Sequence, residues 1–492
     1  MKGDFMGNLA ADLENNTINI KTLMDSSSDL TMKFAKAGGR KICIVFCEGL
    51  ASTGTMADLI YRPLNSIGNE KEIPFKRLVE MVQDELLLAG EQVQVDDYEQ
   101  LAQRIMSGFV IILIDGLDYG IGVGVQGYQA RGIEEPSTHI NLRGSREGFV
   151  EVIRTNISMI RRRMKTPDLV FNIQTIGDRS NTDICVCYLK DKVDKTLLEE
   201  VQKRLDKIQL NTILESGYIQ PFLERKGDIL FSEVGVTERP DTFVAKLYDG
   251  RVGILVDGTP FALFVPHLFV ENFATLDDYT GKPLPATIFR LLRYFAFFCS
   301  VLLPGFYVAL ANFNPELFPN SLLLNLTASI QKTPYPLLVE CLIIHIFYEI
   351  MREAGLRLPQ NIGHAVSVVG GLVIGDIVVS AGLVGAPLLL IVAISAITCF
   401  VVPDLYESIV VMRFAFILAG GMWGIFGLTV VGMFFMIKIC SMSSYGIPHL
   451  APVAPFTFKA MRDVFIHTGW RTLAKSDMEI QKMNGVTIDH DE

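Results

Sequence analysis

Charge is what this sequence lacks over much of its second half. Between Thr287 and Cys440, 154 residues carry only 14 Lys, Arg, Asp or Glu, whereas the other 338 carry 84. Soluble chains average about one charged residue in four, so two differently solvated parts share this chain. The start, MKGDFMGNLAADLENN, lacks a basic stretch leading into an apolar one, which argues against a secretory signal peptide and sets the expectation of a cytosolic N-terminal region. None of the eight cysteines forms a Cys-x-x-Cys pair. Cys299, Cys341, Cys399 and Cys440 lie in or beside apolar segments, so reduced buried thiols are expected rather than a zinc site. There is no Walker A sequence, no G-x-S-x-G and no H-E-x-x-H, so no enzyme activity, cofactor or metal is expected. A net charge of -10 argues against a nucleic-acid partner. No internal repeat or low-complexity stretch is visible.

What is present in the first 286 residues reads as mixed α and β. KICIVFCEG (Lys41–Gly49) and Phe109–Ile114 read as strands. The second is followed by Asp115-Gly116 and by a period of two at Gly122–Val125, the pattern of a hairpin. Ser145–Lys165 places Phe149, Ile153, Ile157, Ile160 and Met164 on one helical stripe that Pro167 stops. Leu169–Thr175 and Asp183–Leu189 read as strands and Lys195–Ile208 as an amphipathic helix. Asp257-Gly258-Thr259-Pro260 reads as the turn between strands Val252–Val256 and Phe261–Val265. Gly122-Val-Gly124-Val-Gln-Gly127 matches the dinucleotide fingerprint, but YQARGIEEP after it opens no helix to receive a pyrophosphate, so it reads as a glycine-rich strand return. The basic run Arg161–Lys165 reads as a solvated helix C-terminus, with anionic lipid or an acidic subunit as the functional alternative.

The apolar block reads as an all-α polytopic membrane domain. A span needs about 20 apolar residues. The candidates are Tyr294–Ala311, Pro334–Met351, Gly363–Ala381, Ala386–Val402 and Phe414–Ile437, with Asn320–Thr333 interfacial or re-entrant. Basic residues before the first span, after the second and in the tail (Lys459, Arg462, Arg471, Lys475) mark one side. Five full spans would separate the two ends. Gly370-Gly371, Gly375 and Asp376 interrupt the third candidate, and a broken segment there would reunite the ends. The expected organisation is a flexible 1–30, an α/β subdomain over 31–150, a second over 151–286, a membrane domain over 287–440 with four or five spans, and a cytosolic tail over 441–492.

Ionisable groups inside apolar segments mark candidate functional positions. Glu340, His345 and Glu349 lie on the second span. His345 and Glu349 share a face, while Glu340 is about 180° from Glu349, so the two acids cannot line one cavity. Asp376 is the lone Lys, Arg, Asp or Glu between Leu358 and Pro403. With Gly370, Gly371 and Gly375 it is the candidate ion-path or gating element.

Several blocks carry a resemblance. Leu142-Arg-Gly-Ser-Arg-Glu-Gly-Phe149 after Glu135-Pro136, Arg154-Thr-Asn156, Thr237-Glu-Arg-Pro-Asp-Thr242, Asp249-Gly-Arg-Val252 and Met351-Arg-Glu-Ala-Gly-Leu-Arg-Leu-Pro359 resemble, in order and spacing, the A subunits of GerA-type spore germination receptors. The resemblance implies a chain of the inner membrane of the bacterial endospore. Its implied partners are a polytopic B subunit and a lipoprotein C subunit. It also implies a homo-oligomer, with a pentamer as the family's expected ring, and a path for monovalent cations opened by a nutrient. The rival expectations are a paralogue that amplifies ion release beside dipicolinate transport genes, a secondary transporter, and a non-conducting scaffold.

Overall fold

A computed structural model describes residues 7–67, 73–86, 91–127, 144–227, 230–357, 375, 377–473, 480, 483 and 486. The first sheet is antiparallel throughout. Its strands are β1 (Leu30–Ala37), β2 (Arg40–Cys47), β3 (Gln92–Val95), β4 (Phe109–Ile114) and β5 (Gly120–Gly124), in the order β1-β2-β4-β5-β3. Every residue of β4 is buried. Its unbroken apolar run follows from cover on both faces, as a one-sided sheet would alternate. Val110, Ile112 and Ile114 meet the helical segments 53–66 and 75–86, whereas Phe109, Ile111 and Leu113 meet helices α1 (Leu13–Leu23) and α2 (Tyr98–Met106). The glycines of the dinucleotide-like motif lie in and after β5. A Cβ on Gly122 would sit 3.1 Å from the Val93 carbonyl, and one on Gly127 2.5 Å from Ser52 Cβ, so close packing accounts for both.

The second sheet contains β6 (Leu169–Ile176), β7 (Thr182–Leu189), β8 (Gly235–Thr237), β9 (Val252–Val256) and β10 (Ala262–Val265), in the order β6-β7-β9-β10-β8. One face carries α3 (Ile153–Arg163) and α5 (Pro240–Tyr248), the other α4 (Lys195–Asp206). The helix expected from Ser145 begins eight residues later. Asn156 ties down the preceding segment instead: its side chain accepts from the Val150 N–H at 2.9 Å and donates to the Val150 carbonyl at 2.6 Å.

The two sheets have the same topology, although the sequence shows no repeat. Each unit runs helix, two strands, helical segment, strand, helix, two strands. Asn16 holds Ala10 as Asn156 holds Val150. Gly116 N–H donates to the Ala11 carbonyl and Gly258 N–H to that of Glu151, each from a glycine at positive φ in an Asp-Gly turn. Asp115-Gly116 and Asp257-Gly258, like Gly108 and Gly250, are 142 residues apart. The devices that fix backbone geometry recur while the core side chains differ.

Arg161 joins the units. It is fully buried, not solvated, and donates from Nε and Nη2 to the two Asp29 oxygens at 2.8 and 2.9 Å, and from Nη1 to the Thr166 carbonyl at 2.9 Å. Arg162 and Arg163 pair with Glu147, so none of the three reads as lipid contact. Ser27 and Ser28 close the β6 edge: Phe171 N–H donates to Ser27 Oγ at 3.0 Å, Ser28 N–H to the Phe171 carbonyl at 2.7 Å, and Ile173 N–H to Ser28 Oγ at 3.1 Å. Burial and the adjacent Asp29 push the Cys47 thiol well up, which keeps it a neutral donor to that carboxylate.

Beyond the second sheet the longer helices among the described residues are α6 (Leu276–Thr280), α7 (Pro283–Phe313), α8 (Asn320–Ile330), α9 (Leu337–Arg357), α10 (Ala386–Cys399) and α11 (Tyr406–Ser441). Among the described residues, two helical stretches, Pro283–Phe313 and Pro403–Ser441, are long and apolar enough to cross a membrane. The second is not one rod. Gly424 has φ 63° and ψ -145°, outside helical geometry. A Cβ on Gly427 would lie 2.3 Å from the Ala419 carbonyl, and the Phe416 and Phe435 rings are 5.7 Å apart. Residues eight apart in a straight helix are about 12 Å apart, so the chain folds back at Gly424. The single span expected over Phe414–Ile437 is therefore a helical hairpin. Its first half starts beside the second α/β unit, where Ser408 Oγ donates to the Leu230 carbonyl. Its second half returns there, with Tyr445 buried in that unit's core and its hydroxyl donating to the Leu223 carbonyl at 2.9 Å. Both ends of the helical block thus lie on the α/β side, and an aromatic cluster of Phe231, Phe269, Phe273 and Phe297 runs across the boundary near residue 286.

Two outcomes follow. Asp29→Ala leaves Arg161 buried without its carboxylate and should cost about 3–5 kcal/mol, read as a lower unfolding midpoint of the detergent-solubilised protein. The pair Asp29→Leu with Arg161→Met should lose less, and an unchanged midpoint in the single variant would contradict the clamp. Gly424→Ala forces an L-residue into a backbone region reserved for glycine and brings its Cβ to 3.0 Å from the Phe313 ring. A cost on the order of 1–3 kcal/mol should appear as reduced accumulation of full-length chain, and wild-type accumulation would argue against the tight turn.

Candidate functional site

Pro304 sits inside α7 and has no N–H, so the Ser300 carbonyl one turn earlier lacks its helical donor. A free carbonyl in an apolar bundle must find another partner. Arg413 provides it: from the first half of α11 its Nε donates to the Ser300 carbonyl at 2.9 Å, and Ser395 Oγ of α10 lies 3.4 Å from the same oxygen. Two turns further on, a Cβ on Gly420 would lie 2.5 Å from the Gly305 carbonyl, so the two backbones touch. That approach brings Arg413 within reach of α7.

Arg413 is fully buried, and its Nη1 lies 3.4 Å from Glu349 Oε1 on α9. The Tyr406 hydroxyl donates to Glu349 Oε2, and the Arg352 guanidinium stacks 3.2 Å from the centre of the Tyr406 ring. Glu349 therefore pairs across helices, whereas Arg357 pairs with Glu353 one turn away. Four helices meet at this cluster, through Ser300, Glu349, Ser395 and Arg413. Arg413 Nη2 has no hydrogen-bond partner among the described residues. By hydropathy Arg413 falls just outside the apolar run Phe414–Ile437, at its edge. The available signal was a lone arginine within an apolar run, together with a proline inside another span.

The other α9 candidates do not join this cluster. Glu340, 1% exposed, accepts from the Gly385 N–H at 2.5 Å, at the N-terminus of α10, where a carboxylate suits the helix dipole. His345 is buried with Nδ1 2.8 Å from the Cys341 carbonyl and its ring beside Phe414. So Glu340 and Glu349 serve different neighbours, as their opposite faces require. No atom of the described residues lies within 4 Å of where a Cβ on Gly375 would sit. Gly370, Gly371 and Asp376 lie outside the described residues. Among the described residues no group of three or more His, Cys, Asp or Glu could hold a metal ion.

On the α/β side of the bundle a cavity of about 620 Å³ lies between the second unit and the helices, lined by Gln220, Glu224, His267, Arg352, Asp404 and His449 among others. Beside it, burial alone would raise the Glu271 carboxyl, but Arg251 and Lys246 hold it well below the usual range. Nearer the bundle, Arg290 is fully buried between Asp278 and Asp463, at 3.2 and 2.9 Å. These ion pairs fasten α6, α7 and the tail together, so a shift of the bundle would be transmitted to the second unit.

Glu349→Gln removes the carboxylate that faces Arg413 among the described residues and should reduce the yield of monodisperse detergent-solubilised protein. Glu349→Leu combined with Arg413→Met should recover part of it, since replacing a whole buried pair costs less than breaking it. Equal yields in all three proteins would show that the pair does not hold the helices.

Comparison with known proteins gives the lineage. The profile of the Bacillus/Clostridium GerA spore germination protein family matches residues 18–478. Spore germination protein KA of Bacillus subtilis (strain 168) is 35% identical, covering 97% of this chain and 88% of that protein. The uncharacterized membrane protein YfkQ of the same strain is 33% identical, over 97% of this chain and 93% of that one. Among solved structures, the N-terminal domain of the A subunit of a Bacillus megaterium spore germinant receptor is 29% identical at a TM-score of 0.44, covering 54% of this chain and 98% of that one. The chain belongs to the GerA spore germination protein family.

Proposed function

We propose that this chain is the A subunit of a nutrient germinant receptor in the inner membrane of the bacterial endospore. With a polytopic B subunit and a lipoprotein C subunit it forms a path for monovalent cations that opens when a nutrient binds. The observation that carries the reading is the family match across residues 18–478, which takes in both the α/β region and the helical block. Exposed Phe295, Phe298, Phe426, Phe434 and Ile437 support lipid around the bundle. The fold-back at Gly424 supports a multi-pass topology with both ends on the cytosolic side, where the basic tail also belongs.

In this reading the α/β region transmits and assembles rather than reacts. The cluster of Glu349, Tyr406 and Arg413 suits a two-state element, because one arginine holds a broken-helix carbonyl and a carboxylate together, and exchanging either shifts α7 against α9. Asp376, with Gly370, Gly371 and Gly375, remains the proposed ion-path element beside Glu340, His345 and Glu349. Copies of the chain surround the path as a homo-oligomer.

Spores lacking this chain should lose cation release and germination in response to at least one nutrient, and the wild-type gene should restore both. Spores carrying Asp376→Asn should release cations at an altered rate. Normal responses of deletion spores to every nutrient tested would sink the receptor reading. Cation release identical to wild type would remove Asp376 from the path.

A further inference from the structure

The equivalence of the two α/β units exposes a surface that only one of them has covered. In the second unit, the edge strand β6 and the end of α3 receive the segment Ser27–Asp29 of the first unit. Arg161 reads Asp29, while Phe171 and Ile173 bond to Ser27 and Ser28. Superposing the strand registers, Leu30↔Cys47 on Leu169↔Leu189, makes Met32 and Phe34 the counterparts of Phe171 and Ile173. Matching Asn16 to Asn156 makes Lys21 the counterpart of Arg161. In the first unit this surface is open among the described residues. Lys21 is exposed, Phe34 is 65% exposed on the free edge of the sheet, and Ile18 on α1 is 61% exposed. Phe34 lies opposite Cys43, on the sheet face that α1 covers, so the three residues border one strip along an unpaired strand edge.

A segment that matches part of that junction is also present, with Pro167, which has neither N–H nor hydroxyl, at the place of Ser28. Thr166-Pro167-Asp168 precedes β6 as Ser27-Ser28-Asp29 precedes β1. Thr166 Oγ1 donates to Asp168 at 3.1 Å as Ser27 Oγ donates to Asp29 at 2.5 Å, and the Lys190 N–H donates to the Asp168 carbonyl as that of Glu48 donates to the Asp29 carbonyl. The Asp168 side chain is 38% exposed, 3.5 Å from Lys190 Nζ of its own chain and open on its other side, whereas Asp29 is buried in its junction. We propose that the open β1 edge and Lys21 of one copy receive Thr166–Asp168 of a second copy, with the Thr166 hydroxyl in the place of Ser27 and Lys21 facing Asp168 as Arg161 faces Asp29, and without the two strand-edge hydrogen bonds that Ser28 supplies in the junction within the chain. Such a contact is heterologous: it joins head to tail and must close into a ring or run on as a filament. Chains held in one membrane plane favour closure. The proposal builds on the assembly of copies proposed above and specifies its interface. Its test does not depend on germination.

The experiment uses full-length chains with Cys299 and Cys440, the native cysteines that are not buried, changed to Ser. Lys21→Cys and Asp168→Cys are placed on differently tagged chains, co-expressed in membranes and treated with a short bis-maleimide. The internal pair Glu48→Cys with Arg154→Cys, a surface ion pair at 2.6 Å within the chain, first establishes that the junction is intact in these preparations. The expected result is a mixed-tag product that forms only when both variants are present, and a ladder of multiples from the chain carrying both substitutions. In chains with native Lys21 and Asp168, Lys21→Glu should abolish assembly, and adding Asp168→Lys should restore it. An intact internal pair without mixed-tag product would overturn the proposal, whether the edge is bare or taken by another protein.

Discussion

The helical block depends on one carbonyl. Pro304 deprives the Ser300 oxygen of its helical donor, and no water is at hand in an apolar bundle to replace it. Arg413 fills that place, which puts a guanidinium in the middle of the bundle and so calls for Glu349, which in turn takes the hydroxyl of Tyr406. Close approach of Gly305 and Gly420 makes the first of these contacts possible. A proline, two glycines and three polar side chains thus form one constraint, whose members are far apart in sequence and meaningless singly.

The same logic operates in the α/β region, where buried polar groups set the geometry and apolar groups fill it. Asn16 and Asn156, the two Asp-Gly turns and the Asp29–Arg161 pair fix where each helix and strand begins. The core residues around them have diverged, because many combinations of apolar side chains fill a sheet face equally well. Backbone devices have few substitutes. That is why the duplication is plain in the structure and invisible to a search for repeated sequence.

Energy passes between the two parts through a continuous interface rather than a linker. The ion pair of Arg290 with Asp278, the contacts of Phe297 with Phe269 and Phe273, and the return of Tyr445 all cross the line that composition draws near residue 286. Solvation changes there, but packing does not. A movement of α9 or α11 therefore reaches the second unit through groups already in contact, past the cavity that Arg352 and Asp404 share with Gln220 and His267.

By itself the sequence determined the two solvation classes and the strands β2, β4, β6, β7 and β9, because burial on both faces of a sheet and scarcity of charge are written in local composition, and it pointed to the family through the order and spacing of its motif blocks. It also marked Glu340, His345 and Glu349 as unusual and set the two acids on opposite faces by helical angle alone. Only the tertiary structure decided that Arg413 is interior rather than an edge, since its reason for being buried lies on another helix, 113 residues away in sequence. Only the structure turned the last apolar run into a hairpin, because a single glycine at positive φ does not alter hydropathy. And only the structure paired Asp29 with Arg161, since a basic run at a helix end reads as solvated until another part of the chain is seen to cover it.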